Sequence, residues 1–273
     1  MSQQAFAAGP EELGHTGPAA PALAGPGHGA HPVLAPLLDL DPGLGRGLSP
    51  ALRAQARPWL IVRLEPMRRG EWPVVGGEED GMLGLLVLEG LLARSVTVGG
   101  AAYPELIGRG DVLRPWQRDL NDRLVPSGTR WHVVEPALVA VLDRRFAGLV
   151  GRWPEVLNEL MGRAIGRIQE LEVNLAIAQI PQLELRLLAL LWRLADRWGE
   201  PTADGMLVPV RLTHSLLAGL VLGRRPSVTK ALAELTQRGL VSRCEQGWVV
   251  HGEPPAELRA LARPDAARGA EDR

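Results

Sequence analysis

The sequence predicts an α+β protein in which a β domain is followed by a long helix and by a small helical domain that ends in a β-hairpin. Three observations support this prediction. Short apolar runs separated by turn residues fill residues 56–148, a heptad pattern covers residues 154–178, and two short helical patterns and a hairpin pattern cover residues 210–251. The first pattern is typical of strands in a sandwich or barrel, and the second is typical of a coiled-coil helix.

Residues 1–55 precede these patterns as an extension rich in Gly, Pro and Ala. A segment of this composition buries too little apolar surface to offset the entropy that ordering costs, so we expect it to be mostly disordered. The short run from Val33 to Leu40 can nevertheless dock on a neighbouring domain, and Asp39 and Asp41 can help to start a turn.

Residues 56–152 are expected to form the β domain. The Gly99-Gly100 pair suits a hairpin turn, because glycine tolerates positive φ at both positions. Gly108 and Gly110, in the sequence IGRGDV, suit a second tight turn between strands.

Residues 153–180 are expected to form one long helix with an apolar stripe whose members alternate at spacings of four and three. A stripe of this width fits the seam of a two-stranded coiled coil between two copies of the protein, which predicts a homodimer. The alternative is that the stripe packs on the β domain of its own chain. The seam residues are Leu157, Met161, Ala164, Ile168, Leu171, Leu175 and Ala178.

Residues 181–253 are expected to form the C-terminal domain, followed by a tail over residues 254–273. Thr213 suits the N-cap of a short helix that ends at Gly223, and Pro226 suits the first turn of the next helix. A compact hairpin then closes the domain. Helix, glycine turn, helix and hairpin in this order form the winged helix-turn-helix pattern, in which the second helix enters the major groove of DNA.

The charge of this C-terminal pattern differs from that of the whole chain. The chain has 30 basic and 31 acidic side chains, a net charge of −1 that recommends no nucleic-acid or membrane partner. Residues 206–251, in contrast, contain six basic and two acidic residues, and the basic ones cluster around the turn and the start of the second helix. Such a helix N-terminus also favours phosphate. Cations on a helix are usually only a solvated face, so the order of the elements, more than the charge, favours DNA.

The segment from Thr213 to Val241, which contains RRPSVTKALAELTQRGLV, resembles the C-terminal DNA-binding domain of the Crp/Fnr family of bacterial transcription regulators. The stretches GLLVLEGLLARSVTVGG and ELIGRGDVLRP are similar to the strands and the Gly-x-Gly-Asp turn of that family's effector domain. The resemblance covers about residues 56–252. It implies a β-roll, which is a cyclic-nucleotide-binding-like jelly roll, then a long dimerisation helix and a C-terminal winged helix-turn-helix. It further implies a homodimeric, cytoplasmic regulator that binds palindromic double-stranded DNA, with RNA polymerase as a further candidate partner.

The resemblance also implies roles for single positions. Arg225 and Lys230 stand where the family's base-reading side chains project, and each can donate to guanine, a contact worth about 1–3 kcal/mol of discrimination. Pro226 replaces an acidic base reader of some members, so we expect a different preferred site. The alternative is that the arginines are ordinary surface cations. The base-reading candidates are Arg225, Ser227, Thr229 and Lys230, and the phosphate-binding candidates are Thr213, His214, Ser215, Arg224 and Arg243.

The predicted effector domain lacks the phosphate cassette that cyclic-nucleotide binders of this family carry. No Gly-Glu-Leu follows the Gly110-Asp111 turn, and the stretch after it contains no arginine followed by Ala or Ser-Ala. We therefore expect no cofactor and no control by cyclic AMP. Aromatic rings and cations near this loop can line a different small-molecule pocket, or the rings can fill the emptied site. These pocket candidates are Trp116, Arg118, Arg130 and Trp131.

Other classes of protein have little support in the sequence. Cys244 is the only cysteine, which excludes a disulfide framework, a four-cysteine zinc site and a cysteine-held iron–sulfur cluster. His15, His28 and His31 can bind metal, but incidental histidines in a flexible tail are the simpler interpretation. No GxSxG, P-loop or HExxH motif occurs, so we expect no enzyme. The remaining alternative is a dimeric small-molecule-binding or protein-interaction module without DNA affinity.

Overall fold

The computed structural model describes residues 32–74, 81–116 and 127–254, together with Ala256 and Leu258. The described helices are α1 (Leu37–Leu40), α2 (Pro50–Ala56), α3 (Arg144–Val150), α4 (Pro154–Ala178), α5 (Leu183–Trp198), α6 (His214–Leu220) and α7 (Arg225–Gln237). The described strands are β1 (Val33–Pro36), β2 (Ile61–Met67), β3 (Gly70–Trp72), β4 (Gly84–Val98), β5 (Ala101–Gly108), β6 (Val112–Leu113), β7 (Ser127–Leu142), β8 (Glu200–Thr202), β9 (Gly205–Val208), β10 (Val241–Arg243) and β11 (Trp248–His251). None of these helices combines the length and the apolar character needed to cross a bilayer.

The strands of the N-terminal half form one antiparallel sheet. Its order is β1-β2-β7-β4-β5, with β3 paired to β7 and β6 paired to β4. β4 and β5 meet at Gly99-Gly100, whose φ angles of 55° and 84° confirm the expected hairpin turn. At Gly90 a Cβ atom would lie 2.2 Å from the carbonyl oxygen of Pro136, so the irregular crossing of β4 and β7 requires glycine.

The two faces of β4 belong to two separate apolar clusters. Leu86 and Leu88 pack with residues of α1, α3 and the start of α4, whereas Leu85 and Val87 pack in the cluster that contains Trp131. Successive side chains of a strand point to opposite faces, so this run of four buried residues lies between two apolar layers. The sheet and the following helices confirm the predicted α+β class.

Within the extension that was expected to be mostly disordered, the segment over residues 33–56 folds onto the β domain. β1 pairs antiparallel with β2. Leu37, Leu38 and Leu44 are fully buried in the cluster with α3 and α4. The average composition of the extension conceals a local concentration of leucine, LLDLDPGLGRGL, that buries enough apolar surface to order this segment.

Asp41 fixes this segment to the long helix. Its carboxylate accepts a hydrogen bond from the backbone N–H of Gly43 at 3.1 Å, and Arg163 of α4 donates to it at 2.5 Å. The carboxylate thereby starts a turn, as the sequence suggested, and also makes a long-range ion pair. Residues 1–31, with the three histidines considered as metal ligands, lie outside the described residues.

The C-terminal elements share one apolar core and a second antiparallel sheet, of order β10-β11-β9-β8. Leu187 and Leu191 of α5 and Leu232 of α7 are buried in this core beside Trp248 of the terminal hairpin. The sequence did not predict the β8–β9 hairpin. β9 approaches β11 so closely that a Cβ on Gly205 would lie 2.1 Å from a carbonyl oxygen, which explains the glycine and its φ of 145°.

Two buried ion pairs join the helices to the β domain. Arg167 of α4 donates to both carboxylate oxygens of Glu105 at 2.5 and 2.8 Å. Arg197 of α5 lies 2.5 and 2.6 Å from the two oxygens of Asp111, which also accepts from the N–H of Gly108 at 2.7 Å. The two acids are only 8% and 5% exposed. Burial raises the pKa of Asp111, and Arg197 and the Gly108 N–H oppose that rise.

We predict that Arg197→Met lowers the free energy of unfolding by about 3–5 kcal/mol, because it leaves the Asp111 carboxylate buried without its cation. The loss should shrink as the pH falls, since a carboxyl with a raised pKa in the folded protein then becomes neutral. Urea denaturation at several pH values measures both effects.

The exposed pair Arg57–Asp39, with side chains 55% and 44% exposed, supplies the control. Arg57→Met should cost less than about 1 kcal/mol, because water already solvates both charges. Equal losses in the two variants would contradict the role given to the buried pair.

Candidate nucleic-acid interface

α7 has one buried face and one exposed face. Val228, Ala231, Leu232 and Leu235 are at most 3% exposed and pack in the C-terminal core. The opposite face is solvated, and its Lys230 side chain is 81% exposed and only 3.7 Å from Glu234, one turn later. All the residues predicted to read bases are exposed, namely Arg225, Ser227, Thr229 and Lys230.

The start of α6 lies beside this exposed face. Thr213 is the N-cap, as predicted, and its hydroxyl accepts from the N–H of Leu216 at 3.2 Å. His214 Nδ1 lies 2.9 Å from the hydroxyl oxygen of Thr229, which donates to the carbonyl oxygen of Arg225 at 3.0 Å. The two threonine hydroxyls are therefore engaged within the protein, and they orient the surface around them.

The terminal hairpin completes the surface. The guanidinium of Arg243 on β10 lies 5.9 Å from the ring centre of Trp248 on β11, and the His214 ring lies 6.2 Å from the same ring. Partial burial, with the nearby charges of Arg243 and Arg225, holds the pKa of His214 below its ordinary value. His214, Arg225 and Arg243 form what we call the basic cluster, in which two permanent cations flank the imidazole ring.

The remaining predicted phosphate-binding residues lie on the same two helices. Ser215 is the second residue of α6, and Arg224 is the N-cap residue of α7, where its side chain makes no capping hydrogen bond. Both are exposed. The structure thus brings His214, Arg225 and Arg243 together. The other phosphate-binding candidates, Thr213, Ser215 and Arg224, are exposed.

The turn between α6 and α7 differs in one respect from the prediction. Gly223 follows the first helix, as expected, but the residue in the left-handed region is Leu222, with φ 50°. The turn is tightly packed at Gly223, where an added Cβ would lie 3.2 Å from Leu183 and 3.3 Å from Val228. Arg186 of α5 donates a hydrogen bond to the carbonyl oxygen of Val221 at 2.8 Å, and this bond fixes the turn to α5.

The predicted dimer seam of α4 is divided between two surfaces. Met161, Ile168 and Leu175 are 55%, 58% and 51% exposed. Leu157, Ala164 and Leu171 are half-buried, and Ala178 is buried. Ile165, which the heptad assignment did not include, is 52% exposed on the same side as Met161 and Ile168. The exposed stripe is therefore Met161, Ile165, Ile168 and Leu175.

Two of the residues considered for a small-molecule pocket, Trp116 and Trp131, belong to one apolar cluster of the β domain. Trp131 is 7% exposed and meets Trp72 edge-on, with 5.6 Å between ring centres. Trp116 packs against the same apolar cluster, whereas Arg130 is exposed. Arg118 lies outside the described residues. The two tryptophans pack as interior residues of the β domain.

Residues 185–261 match the family of Crp-like helix-turn-helix domains. The regulatory protein CysR of Synechococcus elongatus is 32% identical over 93 residues, which are 32% of this chain and 45% of CysR. The chain thus matches less than half the length of that relative.

Similar solved structures extend over more of the chain. A CooA variant from Carboxydothermus hydrogenoformans has a TM-score of 0.57 at 15% identity and covers 82% of this chain and 95% of its own. FixK2 of Bradyrhizobium japonicum has a TM-score of 0.55 at 16% identity, with 76% and 100% covered. A CRP/FNR family transcriptional regulator of Thermus thermophilus has a TM-score of 0.51 at 19% identity, with 72% and 95% covered. At these identities the similarity shows the fold.

The backbone of Leu222 predicts an unusual pair of mutational effects. Leu222→Gly should raise the free energy of unfolding by up to about 1 kcal/mol, because a left-handed conformation costs a side-chain-bearing residue that much or more and glycine almost nothing. Gly223→Ala should lower it, because the added methyl group meets packed side chains. Thermal unfolding of both variants measures the signs, and a loss of stability in Leu222→Gly would contradict the assignment of strain.

Proposed function

We propose that this chain, which carries a Crp-like helix-turn-helix domain on the fold of Crp/Fnr-type transcription regulators, acts by binding a specific double-stranded DNA site as a homodimer. The observation that supports this most directly is the exposed polar face of α7, which stands opposite a fully apolar face. In this proposal the protein works in the cytoplasm, catalyses no reaction of its own and has RNA polymerase as a further partner.

In the proposed complex, α7 enters the major groove and the basic cluster holds the phosphate backbone beside it. Arg225 starts the helix and Lys230 lies on its outer face, so both can reach base edges. Arg243 on the hairpin and Arg224 before α7 are suited to phosphates, because a helix N-terminus and nearby guanidinium groups both attract anions. Thr229 is better suited to orientation than to base recognition, since its hydroxyl is already engaged.

The exposed apolar stripe of α4 supports a dimer of two such domains. Four large apolar side chains at helical spacing are more than half exposed in a single chain: Met161, Ile165, Ile168 and Leu175. Pairing two α4 helices along this stripe removes them from water and relates the two DNA-binding domains by a two-fold axis. A two-fold dimer reads a palindromic site whose halves lie about one helical turn apart.

We propose further that DNA binding needs no cyclic nucleotide. The sequence lacks the family's phosphate cassette after Gly110-Asp111. Asp111 is instead paired with Arg197 of α5, and Trp131 is enclosed in the interior of the β domain. An ion pair that already joins the two domains gives the helix-turn-helix a defined position without a ligand.

Substitutions at Arg225 and Arg243 should affect DNA binding differently. With a site selected from random duplexes, Arg225→Ala should reduce discrimination against random DNA by about 1–3 kcal/mol. Arg243→Ala should weaken specific and random binding by the same factor and reduce the dependence on salt by about one phosphate contact. Fluorescence anisotropy at several salt concentrations measures both, without cyclic AMP and then with it, and the nucleotide should change neither result.

Equal losses on specific and random DNA in both variants would contradict these residue roles. Binding that appears only with cyclic AMP would contradict independence from the nucleotide. A dimer that binds no duplex even at low salt would overturn the proposed function and favour a protein-interaction module.

The proposed dimer is tested by Ile168→Glu, which places two carboxylates against each other across the two-fold axis. Like charges in such a contact cost several kcal/mol, so the dimer dissociation constant should rise at least about a hundredfold. Sedimentation equilibrium measures it. Leu52→Glu, at an exposed leucine of α2, is the matched control and should leave the association unchanged. A dimer that survives Ile168→Glu would place the interface elsewhere.

A further inference from the structure

We infer that the protein takes up a proton at Nε2 of His214 when this surface binds a DNA phosphate, so that its affinity for DNA rises as the pH falls. The inference rests on the proposed DNA binding and adds a form of regulation to it. It follows from the hydrogen bonds that orient the imidazole ring and from the cations that surround it.

A chain of two hydrogen bonds favours one of the two neutral tautomers of the His214 ring. The Thr229 hydroxyl donates to the carbonyl oxygen of Arg225 at 3.0 Å, so its single hydrogen is in use. Its oxygen can then only accept from Nδ1 of His214, 2.9 Å away. Nδ1 therefore carries the hydrogen of the neutral ring, and Nε2 carries a lone pair.

The state of Nε2 decides how His214 interacts with DNA. A lone pair repels a phosphate oxygen, whereas a protonated Nε2 donates a charge-assisted hydrogen bond to it. Among the described residues, no protein group is hydrogen-bonded to Nε2, so a phosphate has no competitor there. With the hydrogen of the neutral ring on Nδ1, a phosphate contact at Nε2 requires a proton.

The groups that face His214 come from three elements. Arg225 and Thr229 belong to α7, Arg243 belongs to β10, and Trp248 of β11 presents an uncharged ring. Partial burial and the two arginines hold the pKa of His214 below its ordinary value in the free protein. The same arginines attract a phosphate to this position, and the phosphate charge then raises the pKa of the ring.

The direction of the pH effect follows from these two states. The pKa of His214 is lower in the free protein than in the complex, so binding consumes a proton between the two values. Affinity for DNA is highest below that interval and is lost as the pH rises through the pKa of the bound state. Arg225 and Arg243 stay charged throughout, so their attraction for DNA is constant.

The test measures binding of the full-length protein to a fluorescein-labelled duplex of mixed sequence, from about pH 5.5 to about pH 8 at constant ionic strength. Affinity should fall at least about tenfold over this range, since one proton taken up per protomer changes the logarithm of affinity by up to one per pH unit. His214→Asn keeps a donor near Nδ1 but has no titrating nitrogen, so it should bind weakly at every pH. His214→Arg should bind tightly at every pH.

His132 is exposed on β7, far along the chain from this surface, and His132→Asn is the matched control. It should keep the full pH dependence. A pH dependence that persists in His214→Asn, or that is absent from the wild type, would overturn the inference while leaving DNA binding intact. A wild-type protein that binds no duplex at any pH would overturn the proposed function as well.

A second measurement needs no DNA. Long-range proton–nitrogen correlation spectra of the free protein report which ring nitrogen carries hydrogen, and His214 should show hydrogen on Nδ1. Thr229→Val removes the acceptor and keeps the side-chain shape, so hydrogen should shift towards Nε2 and the pH dependence of DNA binding should weaken. Hydrogen on Nε2 in the wild type would contradict the inference directly.

Discussion

The ion pairs Arg167–Glu105 and Arg197–Asp111 hold the long helix and the helix-turn-helix domain against the β domain. Both acids belong to one short segment, β5 and the Gly-rich turn after it, whereas the arginines come from the long helix and from the first helix of the C-terminal domain. The same segment receives further contacts. Trp198 lies so close to Gly108 that a Cβ there would be 2.7 Å from the ring, and Pro104 would be equally close to a Cβ on Gly219 of α6. One strand and its turn are therefore the common support for all three parts of the chain.

The sequence reveals those parts of the molecule that depend on local signals. A threonine N-cap, a proline in the first helical turn and a glycine between two helices each have a local physical reason, so the helix-turn-helix and its exposed residues could be predicted. The ion pairs could not, because their partners are 62 and 86 residues apart and nothing in either neighbourhood marks them. The three- and four-residue strands β8 and β9 are too short to show a period of two.

The long helix shows how one apolar pattern can supply two surfaces. The heptad rule finds the apolar positions, but α4 packs on its own chain along one side and is exposed along another. Leu157, Ala164 and Leu171 turn partly towards the chain, and Ile165 joins the exposed side. Sequence spacing alone does not distinguish two apolar surfaces on one helix. The side of the helix that packs on the chain carries Arg163, which binds Asp41 of the N-terminal segment, and Arg167, which binds Glu105 of β5.

The ordered N-terminal segment has a consequence for where this protein begins as a folding unit. The resemblance to Crp/Fnr regulators starts near residue 56, and a fragment cut there would keep every domain that this resemblance covers. It would instead remove Leu37, Leu38 and Leu44 from beneath α3 and α4, and it would leave Arg163 half-buried without the carboxylate of Asp41. The apolar side chains exposed by this cut would include Val156 and Leu160, in the first turns of the helix that is proposed to pair two protomers. A fragment chosen by family boundaries would therefore report on a long helix that has lost part of its packing.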